Sequence, residues 1–220
     1  YLAFSCADGD TDALRVVDLE NMRTSVVVKG KSLIEAAWVQ GLRSIAWSPD
    51  SSTIYYLVNE KNKRHIEKVT LSDGSISNVA IGDITWIKQV HISPIDGSLL
   101  LIGANPKTSD RILLIKETGE ITVIRRSSGE NVPSGYLQDP QPIEWEAPDG
   151  SVVHGLFYAP LSESYTCDGL PPAIISVHGG PTSARVWEFS AQALFFTSRG
   201  FAYMEVNHRG STGYGRDYML

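Results

Sequence analysis

The chain has 220 residues, 42% hydrophobic and 20% charged, with 19 Lys and Arg against 25 Asp and Glu for a formal net charge of −6. That apolar content supports a core and excludes disorder as the default state, while the acidic balance argues against a nucleic-acid partner. With 19 Gly, 11 Pro, 5 Trp, 9 Tyr and 6 Phe, short strands joined by turns are expected rather than a helical bundle.

Tyr1-Leu2-Ala3-Phe4-Ser5-Cys6 has no initiator Met and no basic leader, and reads as strand, so the chain is expected to be an internal slice of a longer protein. A first unit follows, with Leu2-Ala3-Phe4, a loop from Ala7 to Asp12, and a strand from Leu14 to Leu19. Asp8-Gly9-Asp10-Thr11-Asp12 lacks the Gly and terminal Glu of a calcium loop, with Ala13 and Leu19 in those places, and reads as a solvated turn. Cys6 and Cys167 match no metal or redox spacing. A reducing, cytoplasmic setting is the expectation.

A repeat comes next. Ile45-Ala46-Trp47-Ser48-Pro49-Asp50 leads into Ile54-Tyr55-Tyr56-Leu57-Val58, and His91-Ile92-Ser93-Pro94-Ile95-Asp96-Gly97 into Leu99-Leu100-Leu101-Ile102, the Ser-Pro pairs 45 residues apart. After a one-residue slip, Arg64 to Val69 aligns with Asp110 to Ile115, and Gly74-Ser75-Ile76 with Gly119-Glu120-Ile121. Each unit reads strand, turn, strand, polar loop, strand, turn, strand, as in a propeller blade of about 40 to 50 residues. Trp47, Tyr55, Tyr56 and Trp86 are expected to pack the blades rather than bind a ligand. His65, His91 and His154 stand in strand or turn contexts and are not expected to act as general bases.

The polar stretch from Ser127 to Gly135 reads as a linker, dividing the chain into propeller blades at 1–136 and a second domain at 137–220. Pro142 to Tyr158 gives strand, Asp149-Gly150 turn, strand. The apolar run Ala173-Ile174-Ile175-Ser176-Val177 suits a strand buried on both faces of a parallel sheet. Trp187, Ala191, Leu194, Phe195 and Ser198 then recur at helical spacing, Gly200 stops the helix, and Phe201 to Val206 is the next strand. The resulting βαβ unit implies a parallel, α/β arrangement, so the fold class is mixed. No transmembrane segment is present: the longest run without Asp, Glu, Lys or Arg, Gly169 to Ala184, holds three Pro and three Gly.

Two motifs carry chemistry. His178-Gly179-Gly180-Pro181 follows a buried strand, where open α/β sheets place ligands, and its glycines let backbone N–H groups approach a reacting group. Some thirty residues on comes Asn207-His208-Arg209-Gly210-Ser211-Thr212-Gly213-Tyr214-Gly215. Together with the blade repeat, these motifs resemble the prolyl oligopeptidase family, in its acylaminoacyl-peptidase-like or dipeptidyl-peptidase-like branch. His208 departs from the family's more usual Tyr.

The resemblance implies a β-propeller followed by the N-terminal part of an α/β-hydrolase domain. It further implies a serine peptidase that cleaves short peptides or acyl-peptides through an acyl-enzyme. By match to His-Gly-Gly-Pro, the Gly180 backbone N–H takes an oxyanion-hole role, supported by His178, Gly179 and Pro181, while Asn207, Arg209 and Gly210 shape the second loop. No Gly-x-Ser-x-Gly occurs in the chain. The Ser, Asp and His of a triad are therefore expected beyond Leu220, and the isolated 220-residue chain is expected to be inactive. No cofactor or metal is expected, since neither a phosphate loop nor zinc spacing is present. A non-catalytic propeller scaffold for protein contacts and a carboxylesterase remain the alternatives.

Overall fold

The structure, a computed structural model, describes residues 1–33, 39, 41–129, 131–166, 168–180 and 182–220. Cys167 and Pro181 lie outside the described residues. Three antiparallel meanders come first. β1 (Leu2–Asp8), β2 (Thr11–Val17) and β3 (Thr24–Lys31) form a three-stranded sheet. β4 (Ile45–Trp47), β5 (Thr53–Glu60), β6 (Lys63–Thr70) and β7 (Ile76–Asn78) form a four-stranded one, and β8 (Trp86–Ile92), β9 (Leu99–Asn105), β10 (Thr108–Ile115) and β11 (Ile121–Arg126) another.

The sequence repeat is visible as repeated geometry. In each unit an Asp caps the turn between the first two strands, with Asp50 accepting from Ser48 Oγ at 2.6 Å and Asp96 from the Ser98 amide at 3.2 Å. The next residue is left-handed in both, Ser51 at φ +58° and Gly97 at φ +72°, which closes the reversal. These bonds hold the Asp50 carboxyl down at about 2, the Ser48 hydroxyl acting most strongly. The one-residue slip is absorbed as a β-bulge. Thr108 pairs with Asn105 and Arg111 with Gly103, so β10 spends three residues where β9 spends two.

The first loop is shorter than expected. Ala7 pairs with Asp12 and Asp8 with Thr11, and Gly9 at φ +66° allows a two-residue reversal in place of a loop from 7 to 12.

Period-two alternation places the core. On β5, Ile54, Tyr56 and Val58 face the first sheet and join Leu14, Val16 and Val28, whereas Leu57 joins Ile87, Val90, Leu101 and Leu113 on the other side. The second sheet is thus buried between its neighbours. Its buried carboxylate, Glu67, is matched by Lys31 at 2.8 Å and the Tyr56 hydroxyl at 2.8 Å, as a desolvated charge requires. Arg64 covers the Trp86 ring at 4.0 Å.

The fourth sheet is mixed. β12 (Gln141–Glu146), β13 (Val152–Tyr158), β14 (Ala173–Val177) and β15 (Ala202–Asn207) stand in the order β12-β13-β15-β14, with β14 and β15 parallel and the other pairs antiparallel. β14 is not buried on both faces. Ile175 and Val177 are 63% and 58% exposed, because β14 is the outer strand and one of its faces lies open. α1 (Ala191–Thr197) is capped by Ser190, whose Oγ accepts from the Ala193 amide at 3.2 Å, so Trp187 precedes the helix instead of lying on it. The helix packs Ala193 against Leu156, Tyr158 and Tyr203.

Candidate functional site

Val177 of β14 pairs with Val206 of β15, so the loops that follow leave the same carboxyl edge of the parallel pair, where α/β sheets hold ligands. Three hydrogen bonds zip them together. The Thr182 amide donates to Gly210 O at 2.7 Å, the Thr212 amide to Ser183 O at 2.9 Å, and His178 Nε2 lies 2.7 Å from Ser211 Oγ. Gly210 sits at φ +98°, a turn only glycine adopts freely, and its amide donates to Tyr218 O at 2.7 Å. The His178 ring stacks on His208 at 4.5 Å, and His208 Nδ1 lies 2.6 Å from Arg209 O.

The His178–Ser211 pair looks like a nucleophile with its base but lacks the required polarity. Ser211 is fully buried, and its hydroxyl donates to His208 O at 2.6 Å. His178 Nε2 must therefore carry the proton and donate to Oγ, the reverse of a general base, which accepts the proton of its nucleophile. Burial also pushes the His178 pKa down, favouring this neutral form. The pair holds the two loops together.

Gly179 and Gly180 are exposed. A Cβ at either position meets nothing within 4 Å, and Gly180 has φ +70°. The remaining side chains anchor this open segment. Fully buried Asn207 accepts from the Arg185 amide at 2.7 Å and donates to Arg185 O at 2.9 Å and Tyr214 Oη at 3.2 Å. Its own carbonyl accepts from Tyr218 Oη at 2.6 Å. Arg209 pairs with Asp149 in the β12–β13 turn and has no carbonyl partner among the described residues. His154 stacks on Tyr214 at 4.0 Å and pairs with Glu144 at 3.1 Å. His65 and His91 stand on β6 and β8; His65 lines a pocket with Trp187, and His91 Nδ1 lies 2.9 Å from Arg43.

Glu205, only 4% exposed, accepts from Ser190 Oγ at 3.3 Å and Tyr158 Oη at 3.4 Å. It lines a cavity of about 290 Å³ with Arg185, Glu188 and Gln192. Burial raises its carboxyl above the usual range, against the opposing pull of Arg185. A folded pKa raised above the ordinary 4.5 contributes stability that is full below that value and is lost as pH rises through the folded pKa. Glu205→Gln keeps the shape and the acceptor but not the titration. Thermal unfolding is expected to show the variant more stable than wild type at pH 7.5, with the difference shrinking toward pH 4.5; a pH-independent difference contradicts this.

Residues 187–220 match the model of the prolyl oligopeptidase family. Dipeptidyl aminopeptidase BIII of Pseudoxanthomonas mexicana is 31% identical over 157 residues, covering 70% of this chain and 21% of that protein. The acylamino-acid-releasing enzyme of Arabidopsis thaliana is 26% identical over 203 residues, covering 82% and 26%. A puromycin-hydrolyzing peptidase from Mycobacterium tuberculosis superimposes over 96% of this chain and 33% of its own with TM-score 0.85 at 23% identity. A puromycin hydrolase superimposes over 94% and 31% with TM-score 0.80 at 27% identity. The fold is one of several antiparallel sheets with few helices, shared with these structures. The chain is thus similar to proteins of the prolyl oligopeptidase family, whose model it matches over residues 187–220, and it spans about a quarter of the length of the curated relatives it matches. No helix among the described residues is long and apolar enough to cross a membrane.

Proposed function

We propose that the protein is a serine-type peptidase acting on short peptides or acyl-peptides, and that residues 178–180 supply its oxyanion loop. One observation carries this reading: exposed Gly179 and Gly180 at the carboxyl edge of the β14–β15 pair, held by a buried His178–Ser211 bond to the loop after β15. In this reading the first three sheets are propeller blades that cover the site, the fourth begins an α/β-hydrolase domain, and the boundary falls at residue 136/137.

During acyl transfer a serine oxygen bonds to the scissile carbonyl carbon, and the carbonyl oxygen takes up negative charge. The Gly180 N–H donates to that oxygen, an interaction worth about a hundredfold or more in rate when fixed beforehand. Ser211 is excluded as the nucleophile by its burial and its donation to His208 O. The chain has no Gly-x-Ser-x-Gly, so the triad is assigned to other parts of the full-length protein.

A fluorophosphonate probe with intact-mass detection tests the reading. The full-length protein is expected to take up one adduct and to release aryl amines from acyl-peptide or dipeptide substrates, whereas the 220-residue chain takes up none. Labelling of the short chain overturns the assignment of the nucleophile. Absence of both adduct and turnover in the full-length protein replaces the enzyme with a non-catalytic scaffold.

A further inference from the structure

We propose that Asn62, at the tip of the β5–β6 hairpin, is a positioning residue that sets both loops of the candidate site from the adjoining sheet. Hairpin tips are normally solvated. This one is not: Lys61 and Asn62 turn with φ +44° and +65°, the two left-handed residues of a tight hairpin, yet Asn62 is only 3% exposed because the tip is seated in the fourth sheet's loops.

The seat has two sides. On one, the Trp187 amide donates to Asn62 O at 2.9 Å. Trp187 O accepts from Thr85 Oγ1 at 2.5 Å, and Lys63 Nζ lies 3.9 Å above the indole ring. Thr85 is braced in turn, since its carbonyl accepts from the Arg64 amide at 2.9 Å. An ion pair between Lys88 and Glu188 at 3.2 Å stands beside this contact. On the other side, the Asn62 side chain bonds the Tyr214 hydroxyl. A half-turn of the amide exchanges donor for acceptor and keeps the bond. Gly213 presses against this group: at φ +94°, a Cβ there would lie 3.3 Å from Asn62 Oδ1.

These contacts close a circuit. Tyr214 is bonded to Asn207, and Asn207 clamps both backbone groups of Arg185, two residues before Trp187. The backbone of Asn62 thus holds one loop and its side chain the other, and those loops fix Gly179 and Gly180 through the bonds of Thr182, Thr212 and His178. The sequence between 58 and 65 shows only a polar turn.

The catalytic half of this inference rests on the oxyanion-loop reading, so its test needs a readout that does not. In the full-length protein, Asn62→Gly keeps the left-handed turn and deletes the side chain, and Tyr214→Phe removes only the phenol oxygen. Hydrogen exchange is expected to quicken about tenfold in the loops after β14 and β15 in both variants, with β8–β11 unchanged. kcat is expected to fall about tenfold or more while KM moves less than about twofold, as for a displaced transition-state donor. Unchanged loop exchange, or exchange that quickens equally in β8–β11, overturns the positioning role. Quickened loop exchange with unaltered kcat overturns its catalytic part. If wild type shows no turnover, the peptidase reading fails on its own and exchange alone decides the role of Asn62.

Discussion

Asn207→Ala is expected to lower stability by about 3 kcal/mol, the cost of leaving several buried polar groups without partners. The side chain is fully buried and satisfies the Arg185 N–H, the Arg185 carbonyl and the Tyr214 hydroxyl together. Alanine fills the space of none of them. Both Arg185 backbone groups lose the partner that the fully buried Asn207 side chain supplies, so the penalty includes that of orphaned groups and not only of exchanged hydrogen bonds. Asn207→Asp separates the components. It keeps the acceptor for the Arg185 amide but sets a carboxylate oxygen against the Arg185 carbonyl and buries a charge, so it is expected to be no milder than alanine. Tyr214→Phe removes one partner from Asn207 and one from Asn62 and should cost about 1–2 kcal/mol. Urea unfolding of the three variants measures these values; a loss below about 1 kcal/mol for Asn207→Ala would falsify the clamp.

What the sequence makes legible follows from the range of the contacts involved. The blade repeat is local: Ser48-Pro49-Asp50 and Ser93-Pro94-Ile95-Asp96 hold their own turns, so the hairpins can be read from the residues. The meeting of His178-Gly179-Gly180 with the 207–215 loop was legible through topology, because a parallel pair brings both strand ends to one edge. The helix starts later than its spacing implies, since Trp187 continues the helical spacing of Ala191, Leu194 and Ser198. The signal that corrects it is Ser190, a side chain suited to capping but unsuited to a helix interior. Arg209 ties the second loop to Asp149, which lies sixty residues earlier on a turn that nothing local connects to it. Asn62 is the extreme case. Its partners at 187 and 214 lie more than a hundred residues away, and an Asn in a polar hairpin carries no mark of burial.

Two strand glycines lead to the second large effect, and ranking them by distance alone gives the wrong order. At Gly103 a Cβ would lie 2.8 Å from Ile84 Cγ2 and Leu101 Cδ1; at Gly155 it would lie 2.9 Å from Glu205 O and 3.2 Å from Trp145 Cζ3. The Gly103 neighbours are side-chain methyls, which yield by small side-chain shifts more readily than backbone does. The Gly155 neighbour is backbone of β15, held between pairings to β13 and β14, and cannot shift without disturbing both. Gly→Ala at a position without positive φ also returns about 0.4–1 kcal/mol from the unfolded chain. Gly103→Ala is therefore expected to fall within about 1 kcal/mol of wild type, and Gly155→Ala to destabilise by about 2–3 kcal/mol, as overpacking against fixed neighbours does. The strain at Gly155 also reaches the site. Glu205 and Asn207 lie on the strand segment it would push, so Gly155→Ala should quicken exchange in the loop after β15 whereas Gly103→Ala should leave that loop unchanged. Chemical denaturation with site-resolved exchange on both variants reads the two effects together. Equal costs, or a larger one at Gly103, mean that the methyl contacts are the rigid ones and that β15 gives way.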